Sequence, residues 1–209
     1  PGRIKIMEAK NMDLFETLVE TLKKNPKKIV FTEGTDARIL SATDRLVKAG
    51  DFLKPVLVGN VEAVKAAAAE GGFCIDGAEI VDPENYADMD AMAEKMYELR
   101  KGKMDMDTVR ANLKKGNYFG TMLVKMGVAD ALLGGATYST ADTVRPALQL
   151  IKTKPGNKNV SSCFILVREK DGVEERLAMG DCAINIDPDE DALVETAVET
   201  AKTAAYFGI

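Results

Sequence analysis

Short apolar segments typical of β-strands alternate with amphipathic helical patterns over most of the chain, and this alternation limits the folds open to it. Strands that alternate with helices form parallel βαβ units with right-handed crossovers. The sequence therefore predicts an α/β fold with a mostly parallel sheet. Strands are predicted at residues 28–31, 55–58, 79–81 and 129–133, and helices at residues 13–24, 36–49, 61–70, 107–115, 117–126 and 140–151.

One further helix is predicted to open at Asp82-Pro83, because proline suits the first turn of a helix. It carries methionines at helical spacing and ends near Arg100. The first predicted helix begins at Asp13, with Glu16 three residues later as in a capping box.

The pattern changes after residue 153. Two strands, at residues 162–168 and 173–179, are predicted to pair across Asp171-Gly172, a hairpin signal. An amphipathic helix with acidic residues in its first turn follows from Asp187-Pro188. Two strands and one helix cannot bury both faces of a sheet. We therefore expect this region to be completed by further chain or by another chain.

These patterns divide the chain into three parts. Pro1 precedes a natural-looking start at Met12, so the residues before Met12 are taken as an added or disordered leader. The predicted parts are a leader at residues 1–11, a first α/β/α domain at residues 12–153 and an incomplete second α/β domain at residues 154–209.

Composition excludes several classes of function. The formal net charge is −5, tryptophan is absent and aromatic residues make up 6%, which disfavours a nucleic-acid surface. No apolar run reaches the length of a bilayer span, and no secretory signal pattern is present. The three cysteines are far apart and form no CxxC motif, as expected for reduced thiols of a cytoplasmic protein.

The chain contains no histidine. Ser-His-Asp and Cys-His mechanisms and histidine-ligated metals are therefore excluded, and we predict no metal site. An enzyme with this composition must take its acid–base group from a carboxylate, lysine, tyrosine, cysteine or the substrate.

Two strand-to-helix junctions have the composition of anion sites. One is residues 31–36, which contain Gly34, and the other is residues 133–140, which contain Gly134, Gly135 and several hydroxyl groups. Ligands of open α/β sheets bind outside the carboxyl ends of the strands, and free N–H groups at a helix start favour phosphate. Ordinary turn and N-cap chemistry explains the same residues equally well.

Two arginines lie near these junctions. Arg145 follows the second junction within a few residues, and a guanidinium there can bind phosphate in bidentate fashion. Because Pro146 disfavours helical geometry in the preceding residue, we expect Arg145 to be displaced from a regular helix position. Arg100 ends the methionine-lined helix. Both arginines also fit an ordinary solvated surface charge. The residues alone therefore predict an α/β protein and leave open whether it binds a phosphorylated ligand.

Seven longer blocks are more specific. In chain order they read FTEGTDARIL, YELRKGK, NYFGTM, GGATYST, TVRPALQ, KTKPG and DCAIN. The first is similar to a Pro-Glu-Gly-x-x-x-Arg signature, with Thr32 in place of proline. In this order, over residues 29–187, the blocks resemble the phosphate acetyl/butyryltransferase family, whose acetyl-specific members are phosphotransacetylases.

The resemblance implies a three-layer α/β/α fold like that of isocitrate and isopropylmalate dehydrogenases, with an active site between two domains and a homodimeric, cytoplasmic enzyme. It implies direct attack of the coenzyme A thiol on acetyl phosphate, with coenzyme A or acetyl-coenzyme A as a substrate and no covalently bound cofactor. Arg145 would stabilise the departing phosphate and Arg100 would anchor substrate. Thr137, Ser139 and Thr140, with Gly134 and Gly135, would line the phosphate pocket.

The chain departs from the family in one respect. The family's Ser-Arg pair and the aspartate proposed as general base have no counterpart before Ile209. We therefore expect little or no transferase activity from these residues alone. Phosphate butyryltransferase and a non-catalytic phosphoanion- or coenzyme-binding module remain as alternatives. A related NADP-linked dehydrogenase is disfavoured, because its clustered aspartates and metal ligands are not seen.

Overall fold

A computed structural model describes residues 13–209, so the predicted leader at residues 1–11 lies outside the described residues. The described chain forms two compact units. One contains residues 21–152, and the other combines residues 13–20 with residues 153–209. None of the helices within residues 13–209 is both long enough and apolar enough to cross a bilayer.

The larger unit is built on a four-stranded parallel sheet with the order β3-β2-β1-β4. Val30 at its centre pairs with Val56 on one side and Leu132 on the other. This confirms the α/β fold with a parallel sheet. The strands are β1 (Lys27–Phe31), β2 (Leu53–Val58), β3 (Glu79–Val81) and β4 (Ala131–Leu133).

The helices of the chain lie close to their predicted positions. They are α1 (Leu14–Lys24), α2 (Ala37–Ala49), α3 (Val61–Gly71), α4 (Met89–Leu99), α5 (Met106–Leu113), α6 (Gly116–Lys125), α7 (Thr140–Pro146) and α8 (Glu190–Tyr206).

Both faces of the parallel sheet are covered, because successive side chains of a strand point to opposite faces. Val30 and Val56 pack in one apolar core with Met92 and Phe119 of α4 and α6. Phe31 and its neighbours on the same face pack in a second core with residues of α2 and α3. The larger unit therefore has three layers.

The helix predicted from Asp82-Pro83 is not continuous. The Asp82 carboxylate accepts hydrogen bonds from the N–H of Glu84 at 3.0 Å and the side chain of Asn85 at 2.9 Å. These bonds stabilise a short 3₁₀ turn at Pro83–Asn85. Tyr86 then has extended backbone geometry, so α4 begins only at Met89. The prediction was wrong because the extended backbone of Tyr86 separates the turn capped by Asp82 from α4.

Two other boundaries also differ from the prediction. The helix predicted over residues 140–151 ends as α-helix at Pro146 and continues as a π-helical turn over Ala147–Ile151. The last helix starts later than predicted from Asp187-Pro188, because Asp189 is its N-cap and accepts a hydrogen bond from the N–H of Ala192 at 2.8 Å.

The smaller unit contains the predicted hairpin. Strands β5 (Cys163–Lys170) and β6 (Val173–Gly180) are antiparallel, and Asp171 and Gly172 between them both have positive φ, as in a type I′ turn. Helix α8 packs on β6. The beginning of α1 belongs here as well, since the N–H of Leu14 donates to the Glu174 carboxylate at 3.2 Å.

Candidate functional site

The carboxyl ends of β1 and β4 lie side by side, because these strands are parallel neighbours with Phe31 paired to Leu133. The segment after β1, residues 32–36, is called the β1–α2 loop, and the segment after β4, residues 134–139, is called the β4–α7 loop. Both leave the sheet at the same edge. They are the two junctions whose sequences have the composition of anion sites.

The β4–α7 loop binds the carboxylate of Glu33, which comes from the β1–α2 loop. Glu33 Oε2 accepts a hydrogen bond from the N–H of Gly135 at 3.1 Å. Glu33 Oε1 accepts hydrogen bonds from the N–H of Thr137, from its hydroxyl at 2.9 Å and from the N–H of Tyr138 at 3.3 Å. The Thr32 hydroxyl donates to Oε2 at 3.2 Å. The loop therefore does hold an anion, and that anion is a side chain of the same protein.

The charge of Glu33 follows from these contacts. Glu33 is only 8% exposed, and burial by itself raises the pKa of its carboxyl. The hydrogen bonds from Thr137 and from other N–H groups of the loop lower that pKa by more, so the net pKa lies below its ordinary value. Glu33 is thus ionised at neutral pH. Burial is the main cause that raises the pKa of Tyr138, and the negative charge of Glu33 raises this pKa further.

A guanidinium also joins the two loops. Arg38 binds the Asp36 carboxylate through Nε at 2.9 Å and Nη2 at 2.8 Å, and it donates to the Ala136 carbonyl of the β4–α7 loop. The hydrogen bond from Arg38 is the main cause that lowers the pKa of Asp36 to about 2. Asp36 is also the N-cap of α2 and accepts from the N–H of Arg38. The β1–α2 loop therefore binds N–H groups of the β4–α7 loop through Glu33, and the first turn of α2 binds a carbonyl of that loop through Arg38.

Glycines allow the segments around Thr32 to approach closely. A Cβ on Gly134 would lie 2.5 Å from the Thr32 hydroxyl, and a Cβ on Gly116 at the start of α6 would overlap the Thr32 carbonyl oxygen. Thr32 itself is buried. Gly134 is therefore needed for packing of the loop, independently of any ligand.

The remaining predicted residues of this region lie at the start of α7. Ser139 is the N-cap: its hydroxyl accepts from the N–H of Asp142 at 3.1 Å and donates to the Asp142 carboxylate at 2.7 Å. Thr140 is the first residue of the helix and is exposed. Arg145 has a 58% exposed side chain, and its Nη1 lies 3.7 Å from Asp142 Oδ1. Its charge is thus held loosely at the surface, where it can reach a ligand.

The expectation that Pro146 displaces Arg145 from the helix is wrong. Both residues belong to α7, and Pro146 itself has helical dihedral angles. Proline has no N–H with which to bond the carbonyl of Asp142 four residues earlier. The Asn117 side chain takes over this role and donates to that carbonyl at 2.8 Å. The arginine therefore keeps a regular helical position because another helix supplies the missing donor.

Among the described residues, Arg100 makes no hydrogen bond to the β1–α2 loop or the β4–α7 loop. It caps the end of α4 through its backbone N–H, which donates to the Met96 carbonyl at 3.1 Å. Its Nε is buried and has no hydrogen-bond partner among residues 13–209. Within the described chain, the hydrogen bonds that leave the β4–α7 loop run to Glu33, Arg38 and α7, and none runs to Arg100.

A protein-family model described as phosphate acetyl/butaryl transferase matches residues 13–209. The chain belongs to this family. Its solved relatives have the same fold. A phosphotransacetylase from Streptococcus pyogenes is 46% identical, with a TM-score of 0.86 over 94% of this chain. The EutD phosphotransacetylase from Staphylococcus aureus is 40% identical, with a TM-score of 0.85 over 94% of this chain and 58% of its own.

Curated relatives agree with this assignment. The phosphate acetyltransferase of Bacillus subtilis is 46% identical over 94% of this chain, and that of Staphylococcus epidermidis is 41% identical over the same share. The chain spans 59% and 58% of the lengths of these two relatives. The resemblance to the phosphate acetyl/butyryltransferase family is thus confirmed for the part of the relatives that the chain covers.

In this member of the family, four of the predicted residues lie in the β4–α7 loop, and two more follow on α7. The loop residues are Gly134, Gly135, Thr137 and Ser139, and the helix residues are Thr140 and Arg145. Sequence reasoning missed Glu33 and Arg38 as partners of the loop. Glu33 belongs to the first anion-like junction and Arg38 follows it by two residues, but local sequence does not show that β1 and β4 are neighbours.

Proposed function

We propose that this chain carries part of the active site of a phosphate acetyltransferase, which transfers acetyl reversibly between acetyl phosphate and coenzyme A. Its support is family membership together with relatives of that name at 40–46% identity over 94% of the chain. The same resemblance supports a homodimer that works in the cytoplasm with coenzyme A as a substrate and no covalently bound cofactor.

The proposed reaction is a direct displacement. The sulfur of coenzyme A attacks the acetyl carbonyl carbon, a C–S bond forms, and the C–O bond to phosphate breaks. The electron pair of that bond leaves with phosphate, and the thiol proton passes to a base. A free thiol has a pKa of about 8.5, so removal of its proton assists the attack at neutral pH.

In this proposal Arg145 stabilises the negative charge of the departing phosphate. Its guanidinium is exposed, and its nearest carboxylate is 3.7 Å away, so phosphate can compete for it. The Thr140 hydroxyl lies at the start of the same helix and binds a phosphate oxygen, and Ser139, whose hydroxyl donates to Asp142, lines the pocket as the N-cap. Arg100, with a buried Nε that lacks a partner among the described residues, anchors the substrate at a second point.

The role of Arg145 is tested by Arg145→Ala, in the 209-residue chain and in any longer form that is active. Loss of the guanidinium should lower the kcat/KM for acetyl phosphate by at least about tenfold, or about 1.4 kcal/mol. Arg110→Ala is the matched control, because Arg110 is another exposed helical arginine paired with a carboxylate. A loss smaller than tenfold, or an equal loss in the control, would contradict the phosphate clamp.

The activity itself is tested by acetyl-coenzyme A formation from acetyl phosphate and by arsenolysis of acetyl phosphate. Both are followed for the 209-residue chain and for any longer form. If only a longer form is active, this supports an active site to which these 209 residues contribute only a part. Inactivity of every form, with coenzyme A binding retained in calorimetry, favours a non-catalytic phosphoanion- or coenzyme-binding module instead.

A second candidate, phosphate butyryltransferase, is favoured by the family description, which covers both acyl groups. The named relatives at 40–46% identity are acetyltransferases, which favours the acetyl substrate. Parallel assays with acetyl phosphate and butyryl phosphate decide between them. A kcat/KM for butyryl phosphate above that for acetyl phosphate would overturn the acetyl assignment.

A further inference from the structure

The β4–α7 loop points several donors at one place, and Glu33 fills that place. The N–H groups of Gly135, Thr137 and Tyr138 and the Thr137 hydroxyl all donate to the two oxygens of its carboxylate. Loops of successive N–H groups with this concave shape are common anion sites in proteins. We call this place the anion seat.

The backbone that carries the Glu33 side chain is fixed by hydrogen bonds immediately after Glu33. The N–H of Gly34 donates to the Val58 carbonyl at 3.0 Å, and the N–H of Asp36 donates to the Glu33 carbonyl at 3.0 Å. A Cβ on Gly34 would lie 2.7 Å from the Val58 oxygen, so the chain packs tightly against β2 here. The sheet therefore fixes the backbone at Glu33, and the donors of the β4–α7 loop fix its carboxylate.

A phosphate cannot share the anion seat with Glu33. Two anions at hydrogen-bonding distance from the same donors repel each other strongly in a buried site. A bound phosphoryl group would therefore lie on the exposed side of the loop, where the Thr140 hydroxyl and the Arg145 guanidinium are exposed. The Ser139 hydroxyl at this place already donates to the Asp142 carboxylate at 2.7 Å.

We propose that Glu33 is the positioning residue of this site: its carboxylate takes the anion seat and holds the β4–α7 loop in the conformation that presents Thr140 and Arg145 to acetyl phosphate. The inference rests on the proposed function and deepens it. In this arrangement the N–H groups of the β4–α7 loop bind the Glu33 carboxylate, and the phosphate of the substrate binds at the start of α7.

The anion seat can be tested without any activity, in the 209-residue chain by heteronuclear NMR. In the native chain, inorganic phosphate should leave the amide signals of Gly135 and Thr137 unchanged. In Glu33→Ala these signals should move, and added formate, a free carboxylate, should return them toward their native positions. Glu62→Ala, at an exposed glutamate of α3, should show neither effect.

Two results would overturn the inference at this level. One is a phosphate-induced shift of the Gly135 and Thr137 amide signals in the native chain, since the substrate anion would then use the seat. The other is the absence of any shift on removal of the carboxylate. If Glu33→Ala does not fold, Glu33→Gln tests the charge alone: it keeps the shape, leaves no room for formate, and should still move the Gly135 and Thr137 amide signals.

Kinetics provide the second test, in whichever form of the chain is active. Glu33→Ala should lower the kcat/KM for acetyl phosphate by at least about tenfold, mainly through KM, with the KM for coenzyme A unchanged. Formate should restore part of the loss, which a merely structural defect would not permit. A loss shared equally by both substrates, or native kinetics, would overturn the proposal. If the native protein transfers no acetyl group, the proposed function fails, and the formate titration still decides the role of Glu33.

Discussion

Gly116 is the residue that allows α6 to begin directly against the end of β1. A Cβ at this position would overlap the Thr32 carbonyl oxygen, which is part of the backbone and cannot rotate away. Gly116→Ala should therefore lower the free energy of unfolding by about 1–3 kcal/mol, as overpacking does in well-packed cores. Urea unfolding, compared at equal m-value, measures the difference.

Gly71→Ala is the matched control for this exchange. Gly71 is also helical, but its Cβ would meet only the ring of Phe73, a side chain that can move. We expect this variant to stay within about 1 kcal/mol of the native chain, because the gain in helix propensity offsets the shift of the ring. Equal losses in the two variants would mean that the Thr32 carbonyl does not limit the packing at Gly116.

At the residue level, the sequence identified the right kind of chemistry but not the partners. The glycines and hydroxyl groups of residues 133–140 predicted a turn that binds an anion, and the structure contains such a turn. Local sequence cannot distinguish an external phosphate from the Glu33 carboxylate, because both satisfy the same N–H groups. The choice depends on which strands are neighbours, and strand order is a long-range property.

At the level of elements, helix α7 depends on its neighbour α6. Pro146 leaves the Asp142 carbonyl without its helical donor, and Asn117 at the start of α6 provides one at 2.8 Å. After Pro146 the helix widens into a π-turn, in which the N–H of Lys152 donates to the Ala147 carbonyl at 3.0 Å. The position of Arg145 is therefore set by a contact between two helices.

A double-mutant cycle tests this dependence. Asn117→Ala should lower the free energy of unfolding by about 1–3 kcal/mol, because the Asp142 carbonyl loses its partner. The loss should be smaller by at least about 0.5 kcal/mol in the Pro146→Ala background, where a backbone N–H is restored. The N–H of Tyr118 also donates to Asn117 Oδ1, and because this bond is lost in both backgrounds, its contribution cancels in the cycle. Additive losses would show that the amide and the proline act independently.

Element types were predicted better than element boundaries. The hydrophobic periodicity of α2, α3 and the strands of the sheet is set by burial against the core, and this signal is strong in the sequence. The break at Tyr86 follows a turn capped by Asp82, and the π-turn after Pro146 is closed by the bond from the N–H of Lys152 to the Ala147 carbonyl. Sequence periodicity does not report those bonds.

At the level of the whole molecule, the absence of histidine governs the response to pH. No side chain has an ordinary pKa near about 6.5, so the free energy of unfolding should change little between about pH 5.5 and 7.5. Glu199 binds Lys154 at 2.8 Å and Lys202 at 2.7 Å, and these bonds lower its pKa from 4.5 to about 2. A carboxyl group whose pKa is lowered on folding stabilises the folded chain above pH 4.5 and loses this contribution as the pH falls toward 2.

We therefore expect stability to be flat near neutrality and to fall below pH 4.5. Unfolding by denaturant, followed by circular dichroism at a series of pH values, measures the profile. Glu199→Gln should reduce the fall in the free energy of unfolding at acid pH, whereas Glu62→Gln, at an exposed position, should reproduce the native profile. A steep change between pH 6 and 7 would contradict the account, since histidine, whose ordinary pKa is about 6.5, is absent.

The start of α1 has a practical consequence for anyone who trims or tags this protein. The Leu14 amide is bonded to Glu174, 160 positions further along the chain, and residues 13–20 group with the hairpin and α8. Cropping the amino end would thus damage the carboxyl end first and spare the parallel sheet that follows it in sequence. A chain expressed from residue 21 would keep the whole parallel sheet but would lose the residues that pack with the hairpin and α8.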